Sequence, residues 1–180
     1  MKVCARQFNL FLTLAVLAGF ICGCSTESKE AKKEKKQTAA LRVHIEVSRN
    51  DISSKQTVSV PRSDPVAVTI ADDPVLTEAN IITARIIDAP GGFAIEVQFD
   101  EIATSLLEHY SATNPGRHFV IFGQWGEKLA NGRWLAAPLI THRIANGILA
   151  FTPDCSREEA NQLVLGLNNL AAQMNQGFVK

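Results

Sequence analysis

The segment Asp154–Glu159 (DCSREE) carries a cysteine among acidic, basic and hydroxyl side chains. Such surroundings could make Cys155 a nucleophile, because a nearby positive charge or a helix N-terminus lowers the pKa of a thiol. The same residues also match a helix start, since Ser156 stands three residues before Glu159, the spacing of a capping box. We favour the helix start and expect Cys155 to be a buried, unreactive residue just before the cap.

The other chemistry-bearing side chains form no catalytic or metal-binding pattern. The histidines at 44, 109, 118 and 142 match neither the HxxxH nor the HExxH spacing. The sequence also lacks a GxSxG elbow, a phosphate loop and a GxGxxG motif. We therefore predict no catalytic residue, no metal site and no cofactor. The alternative is an enzyme with an unrecognised site around Cys155, in which folding brings a histidine close to the thiol.

Two tryptophans and an arginine bracket the polar segment 124–132. Aromatic residues and arginine are enriched at binding hot spots, and arginine can stack on tryptophan. Trp125, Arg133 and Trp134 are therefore candidate partner-binding residues on an exposed loop. The alternative is that Trp134 packs into the core and Trp125 only fixes the loop.

The N-terminus has the features of a secretory signal peptide. Lys2 and Arg6 precede an uncharged run, 8–23, which is shorter than the roughly 20 residues of a membrane span. The run ends in Ile21-Cys22-Gly23-Cys24, which resembles a bacterial lipobox. We predict that residues 1–23 are removed after Gly23 and that Cys24 is acylated. The alternative is an uncleaved anchor helix.

Residues 24–40 are predicted to be the lipidated cysteine followed by a flexible, charged tether, because the segment is lysine- and glutamate-rich and has no apolar period. Ser25 and Thr26 follow the cysteine, so the aspartate that usually retains lipoprotein at the inner membrane is absent. We expect a periplasm-facing lipoprotein of the outer membrane. From Leu41 onward eleven basic and fifteen acidic residues give a net charge of −4, which disfavours a nucleic-acid partner.

The rest of the chain alternates between strand and helix patterns. Residues 41–73 form an N-terminal β segment, and the runs 80–88 and 93–99 flank a Pro-Gly-Gly turn as a β-hairpin. The next segment is predicted to be a helix capped by Asp100, whose apolar residues recur at helical spacing. The predicted inward residues of this helix are Ile102, Leu106, Leu107 and Tyr110. The fold class is therefore α+β, a mostly antiparallel sheet with two main helices packed on one face.

The order of these pieces resembles the head part of the first periplasmic domain of SecD, an accessory subunit of bacterial protein export. The resemblance runs from Pro74 to about Leu170. It rests on the LTEANI lead-in, the hairpin ending GGFAIEVQFD, an Ala-Pro-x-Ile feature at 137–140, and the run GILAFT at 147–152 before a helix with Glu-Glu-Ala-Asn. The domain 74–176 is accordingly expected to be SecD head-like.

The resemblance implies an α+β head fold, and we expect a non-enzymatic binding module with this fold. SecD couples proton flow to export through a membrane domain, whereas no membrane helix is expected here after residue 23. We therefore expect a lone head-like domain, held on the membrane by lipid and accessory to protein export. Its expected partner is a polypeptide or another envelope protein.

Overall fold

The described part of the chain begins just before its first strand. The computed structural model describes residues 37–48, 50, 54–61 and 65–177. The predicted signal peptide 1–23, Cys24 and the predicted tether as far as residue 36 lie outside the described residues. All of the described residues belong to one compact unit.

Nine strands and two α-helices make up this unit within the described ranges. They are β1 (Ala40–Ile45), β2 (Lys55–Val60), β3 (Val66–Ala71), β4 (Leu76–Thr77), β5 (Ile81–Ala89), β6 (Gly92–Phe99), α1 (Glu101–Thr113), β7 (Phe119–Trp125), β8 (Asn131–Ala136), β9 (Ile148–Phe151) and α2 (Arg157–Gly177). The strands pair antiparallel in three sheets, in the orders β4-β1-β7-β8, β2-β3 and β5-β6-β9. The predicted α+β class with mostly antiparallel pairing is confirmed.

The β5–β6 hairpin forms where the sequence predicts it. The two strands are joined by Pro90 and Gly91, and Gly91 has a φ of 80°. Glycine adopts such a positive φ without a steric cost. On the inner face of β6, Ile95, Val97 and Phe99 are buried, so the predicted alternation holds along the strand.

Helix α1 starts at its predicted cap but buries a different face. The carboxylate of Asp100 accepts a hydrogen bond from the Ala103 backbone N–H at 2.8 Å. The buried side chains are Ala103, Leu107 and Ser111, whereas Ile102 is 71% exposed. Leu106 is exposed as well, so the expectation that Ile102 and Leu106 face inward is wrong, whereas it holds for Leu107. Small residues on the buried face allow close packing, and the Ile144 backbone N–H donates to the Ser111 hydroxyl at 2.8 Å, which fixes the rotation of the helix.

Helix α2 begins with the predicted capping box. The Ser156 backbone N–H donates to the Glu159 carboxylate at 2.8 Å, and the Glu159 N–H donates to the Ser156 hydroxyl at 3.2 Å. This reciprocal pair satisfies two backbone donors that the first helical turn leaves free. The helix packs on β1, β5, β6 and β7. Its buried apolar residues are Ala160, Leu163, Leu167 and Ala171.

The four-stranded sheet is covered on both faces. Its inner face contributes Leu41, Val43 and Ile121 to the main core, together with the helices. A second cluster lies on its outer face, where the β2–β3 hairpin packs. This cluster consists of Val58, Val60, Val68, Ile70, Val120 and Ala137. Among the described residues, no helix has both the length and the apolar character required to cross a membrane.

Candidate functional site

The Cys155 thiol is half-buried and packs against the main core. Burial, followed by the Glu159 carboxylate, raises its pKa to about 11, although the Arg133 guanidinium acts in the opposite direction. Desolvation is the largest of these effects, so the surroundings of Cys155 do not lower its pKa. At neutral pH the thiol is protonated, which is the unreactive form.

Labelling of native protein with a thiol reagent should test this protonation state. We expect Cys155 to react much more slowly than the same cysteine in urea-unfolded protein at pH 7, and its labelling rate to rise as the pH approaches 11. The rate can be followed by intact mass spectrometry of the Cys155-only variant, in which the other three cysteines are serine. Fast labelling at pH 7, equal to that of the unfolded chain, would contradict a protonated, half-buried thiol.

Arg133 and Trp125 form a packed pair next to the start of α2. The Trp125 side chain is only 1% exposed, and the guanidinium carbon of Arg133 lies 5.4 Å from its ring centroid. Arg133 Nη2 also donates to Glu159 Oε1 at 2.5 Å. The hydrogen bond from the Ser156 backbone, and then the Arg133 charge, lower the pKa of Glu159. The cap of α2, the arginine and the tryptophan are thus one connected cluster.

Two nitrogen atoms of this cluster are buried without a partner among the described residues. They are Trp125 Nε1 and Arg133 Nε, and both side chains line a cleft of about 260 Å³. In the adjoining turn Lys128 and Leu129 have φ values of 55° and 57°. Such values are uncommon outside glycine, so this turn is strained. Buried donors normally find acceptors, so these two N–H groups are exceptions within the described part of the chain.

Trp134 lies in a different environment from Trp125. Successive residues of β8 point to opposite faces of the sheet, so Trp134 is turned away from the side that carries Arg133. Its ring packs 5.0 Å from Phe122 and 5.4 Å from His44, measured between ring centroids. The structure thus brings Trp125 and Arg133 together and separates Trp134 from them. The polar loop is also shorter than predicted, because β7 continues through Trp125.

A groove with a mixed apolar and polar lining lies beside the end of β8. It has a volume of about 500 Å³ and is lined by Phe119 and by residues in the range 138–150. Leu139 is 51% exposed at this groove, and Ile148 and Ala150 of β9 line it as well. In sequence, the only signal is Pro138, which cannot donate to a strand ladder and is expected at an edge or a bulge.

Two solved structures described as SecDF share this fold. A structure described as SecDF, a membrane component that enhances protein export, is 22% identical, with a TM-score of 0.52 over 78% of this chain and 66% of its own. The chain has a SecD-like fold. SecDF in a super-membrane-facing form gives 21% identity and a TM-score of 0.53, over 77% of this chain and 20% of its own. The chain thus spans just under two thirds of the first structure and one fifth of the second.

The predicted resemblance to the SecD head is confirmed at the level of the fold. No family model matches the chain, and no curated protein matches its sequence. In the sequence, the features that indicate this fold are the order of the hairpin, the Ala-Pro-x-Ile feature and the last helix.

Proposed function

We propose that this chain is a bacterial envelope lipoprotein whose SecD-like domain binds polypeptide as an accessory to protein export. The fold shared with SecDF over 78% of the chain is the observation that carries this proposal. The lipobox-like sequence supports acylation at Cys24, and the residues that follow it support an outer-membrane location facing the periplasm. In this function the domain acts as a binding module and performs no reaction.

The groove at Leu139 is the surface best suited to such a partner. Strand β9 is at the edge of its sheet and pairs only with β6 among the described strands. A free strand edge next to apolar side chains can accept an extended polypeptide, with backbone hydrogen bonds to the edge and a side chain in the groove. Trp125 and Arg133 stabilise the opposite end of β8 in this arrangement.

A photo-crosslinking amino acid at position 139 should capture exported polypeptides in the native envelope. Because Leu139 is half-exposed at the groove, we expect adducts several times more abundant than those from the same probe at Ala172, an exposed position on α2. Adducts can be identified by mass spectrometry after denaturing purification. Equal capture at the two positions, or only lipid and abundant porins at position 139, would contradict the proposal.

The enzymatic alternative has no structural observation in its favour. A nucleophilic thiol requires a lowered pKa, whereas that of Cys155 is raised to about 11. The groups that shift it are Glu159, Arg133 and Asp154, and none is a histidine that could act as a base. Within the described residues, no group of three or more histidine, cysteine, aspartate or glutamate side chains could hold a metal ion.

A further inference from the structure

A buried histidine lies on the outer face of the four-stranded sheet. His44 is 5% exposed, and its Nδ1 lies 2.9 Å from the carbonyl oxygen of Ala71. A carbonyl oxygen only accepts hydrogen bonds, so Nδ1 carries the proton in the neutral ring and Nε2 is an acceptor. The contact with Ala71 is the hydrogen bond that the His44 ring makes within the described ranges. The His44 ring also lines a cleft on this face of the sheet.

This cleft lies where the β2–β3 hairpin stops covering the sheet. It is about 230 Å³ in volume and is bounded on one side by Phe122 and Trp134, whose ring centroids are 5.0 Å apart. Gln56 and Pro74 complete the rim. Pockets for drug-sized ligands have volumes of about 300–1,000 Å³. The smaller volume and the aromatic wall fit a ligand of amino-acid size with an apolar side chain.

Two opposite charges line the same cleft without pairing with each other. Both residues line the cleft, and within the described ranges the Arg42 guanidinium has no hydrogen-bond or ion-pair partner. Asp72 uses Oδ2 to accept from the Ser54 hydroxyl, and Oδ1 makes no hydrogen bond to a described residue. Separate positive and negative groups at one small cleft are complementary to a dipolar ligand, because each can pair with the opposite charge of that ligand.

We propose that this cleft binds a free α-amino acid with an apolar or aromatic side chain. The Arg42 guanidinium receives the carboxylate, for which its planar donors are suited. The ammonium group lies between the Asp72 carboxylate and Nε2 of His44, and the side chain packs on Phe122 and Trp134. This binding site is separate from the groove at Leu139 and does not depend on the proposed role in export.

Calorimetric titration of the detergent-solubilised full-length protein with L-leucine and L-phenylalanine tests the proposal. We expect saturable binding of at least one of them, accompanied by a change in the fluorescence of Trp134. The N-acetyl and methyl ester forms of that amino acid each lack one charge and should bind about tenfold more weakly or worse. The proposal is overturned if neither free amino acid binds, or if the blocked forms bind as tightly as the free ones.

Substitution of the charged residues locates the binding. Arg42→Ala and Asp72→Asn should each weaken binding about tenfold or more, because each removes a charged partner of the ligand. Arg42 and Asp72 are both exposed, so the fold should persist, and thermal unfolding checks this. Arg85→Ala and Glu101→Gln remove the same charges at exposed positions outside the cleft and should leave the affinity unchanged. Wild-type affinity in Arg42→Ala would overturn the proposal.

Discussion

Replacement of Gly166 by valine is expected to lower the free energy of unfolding by about 3 kcal/mol, as for overpacking in a tight core. A Cβ atom at position 166 would lie 2.7 Å from the Cβ of Ala39, 2.8 Å from its backbone nitrogen and 2.8 Å from the carbonyl carbon of Thr38. Because two of these atoms belong to the backbone, the contact is relieved only by moving α2 away from the start of β1. Urea unfolding followed by circular dichroism measures the loss.

Two further variants separate the effect of this clash from the effect of the intrinsic helix propensities of valine and alanine. Gln173→Val introduces the same side chain at an exposed position of α2 and should cost only a few tenths of a kcal/mol. Gly166→Ala would stabilise an open helix by about 1 kcal/mol. Here it should destabilise the protein, because the alanine Cβ already meets the backbone of residues 38 and 39. A more stable Gly166→Ala protein would show that the packing around Gly166 is looser than in the structure.

The contact at Gly166 also shows where the folded unit begins. Composition predicts a tether as far as residue 40, since the lysine-rich segment gives no sign of packing. In the structure Ala39 is buried against α2, and the Asn169 side-chain amide donates to the Gln37 carbonyl at 3.0 Å. The chain is therefore held by the last helix before β1 starts at Ala40. This boundary depends on a contact between residues about 130 positions apart, which local composition does not reveal.

The elements that the sequence predicted well are those determined by neighbouring residues. The β5–β6 hairpin depends on strict alternation around a Pro-Gly turn, and the start of α2 depends on Ser156 and Glu159, three positions apart. Each of these signals lies within a few residues of the structure that it forms. For the same reason Asp100 could be identified as the cap of α1 before its contacts were known.

The incorrect or incomplete predictions concern residues whose environment is formed by distant parts of the chain. Helical spacing alone predicted that Ile102 faces inward. In the structure the hydrogen bond between Ser111 and the backbone of Ile144 holds a different face of α1 against the core. Trp125 was expected in an exposed loop, but its strand is extended by pairing with β8 and the side chain is buried. The cleft at His44 exists because the β2–β3 hairpin folds over the outer face of the sheet, a contact that no local pattern in residues 41–73 indicates.

Replacement of Cys24 by serine is expected to move the protein completely from the membrane fraction to the soluble fraction. In the proposed function Cys24 is the only attachment to the membrane, and serine lacks the thiol that is acylated. Each buried methylene group of an acyl chain contributes about 0.8 kcal/mol, so a lipoprotein with several chains is firmly held and the variant has no comparable contact. Fractionation after a carbonate wash, with intact mass spectrometry of the wild-type N-terminus, measures both the attachment and the added lipid.

Cys22→Ser is the matched control, because it removes a neighbouring thiol but keeps the predicted acylation site and the small residue Gly23 before it. This variant should remain in the membrane fraction and carry the same lipid mass. If Cys24→Ser also stayed in the washed membranes and the wild-type N-terminus kept an unmodified Met1, the uncleaved anchor helix would be the correct interpretation of residues 8–23. The two kinds of attachment leave linkers of different length between the membrane and the fold. If the lipid is attached to Cys24, the linker is at most the 17-residue segment 24–40. The packing of Ala39 on α2 shortens this linker further. The proposed polypeptide-binding groove would then be confined to a layer within a few nanometres of the membrane surface, since an extended chain spans about 3.3–3.6 Å per residue.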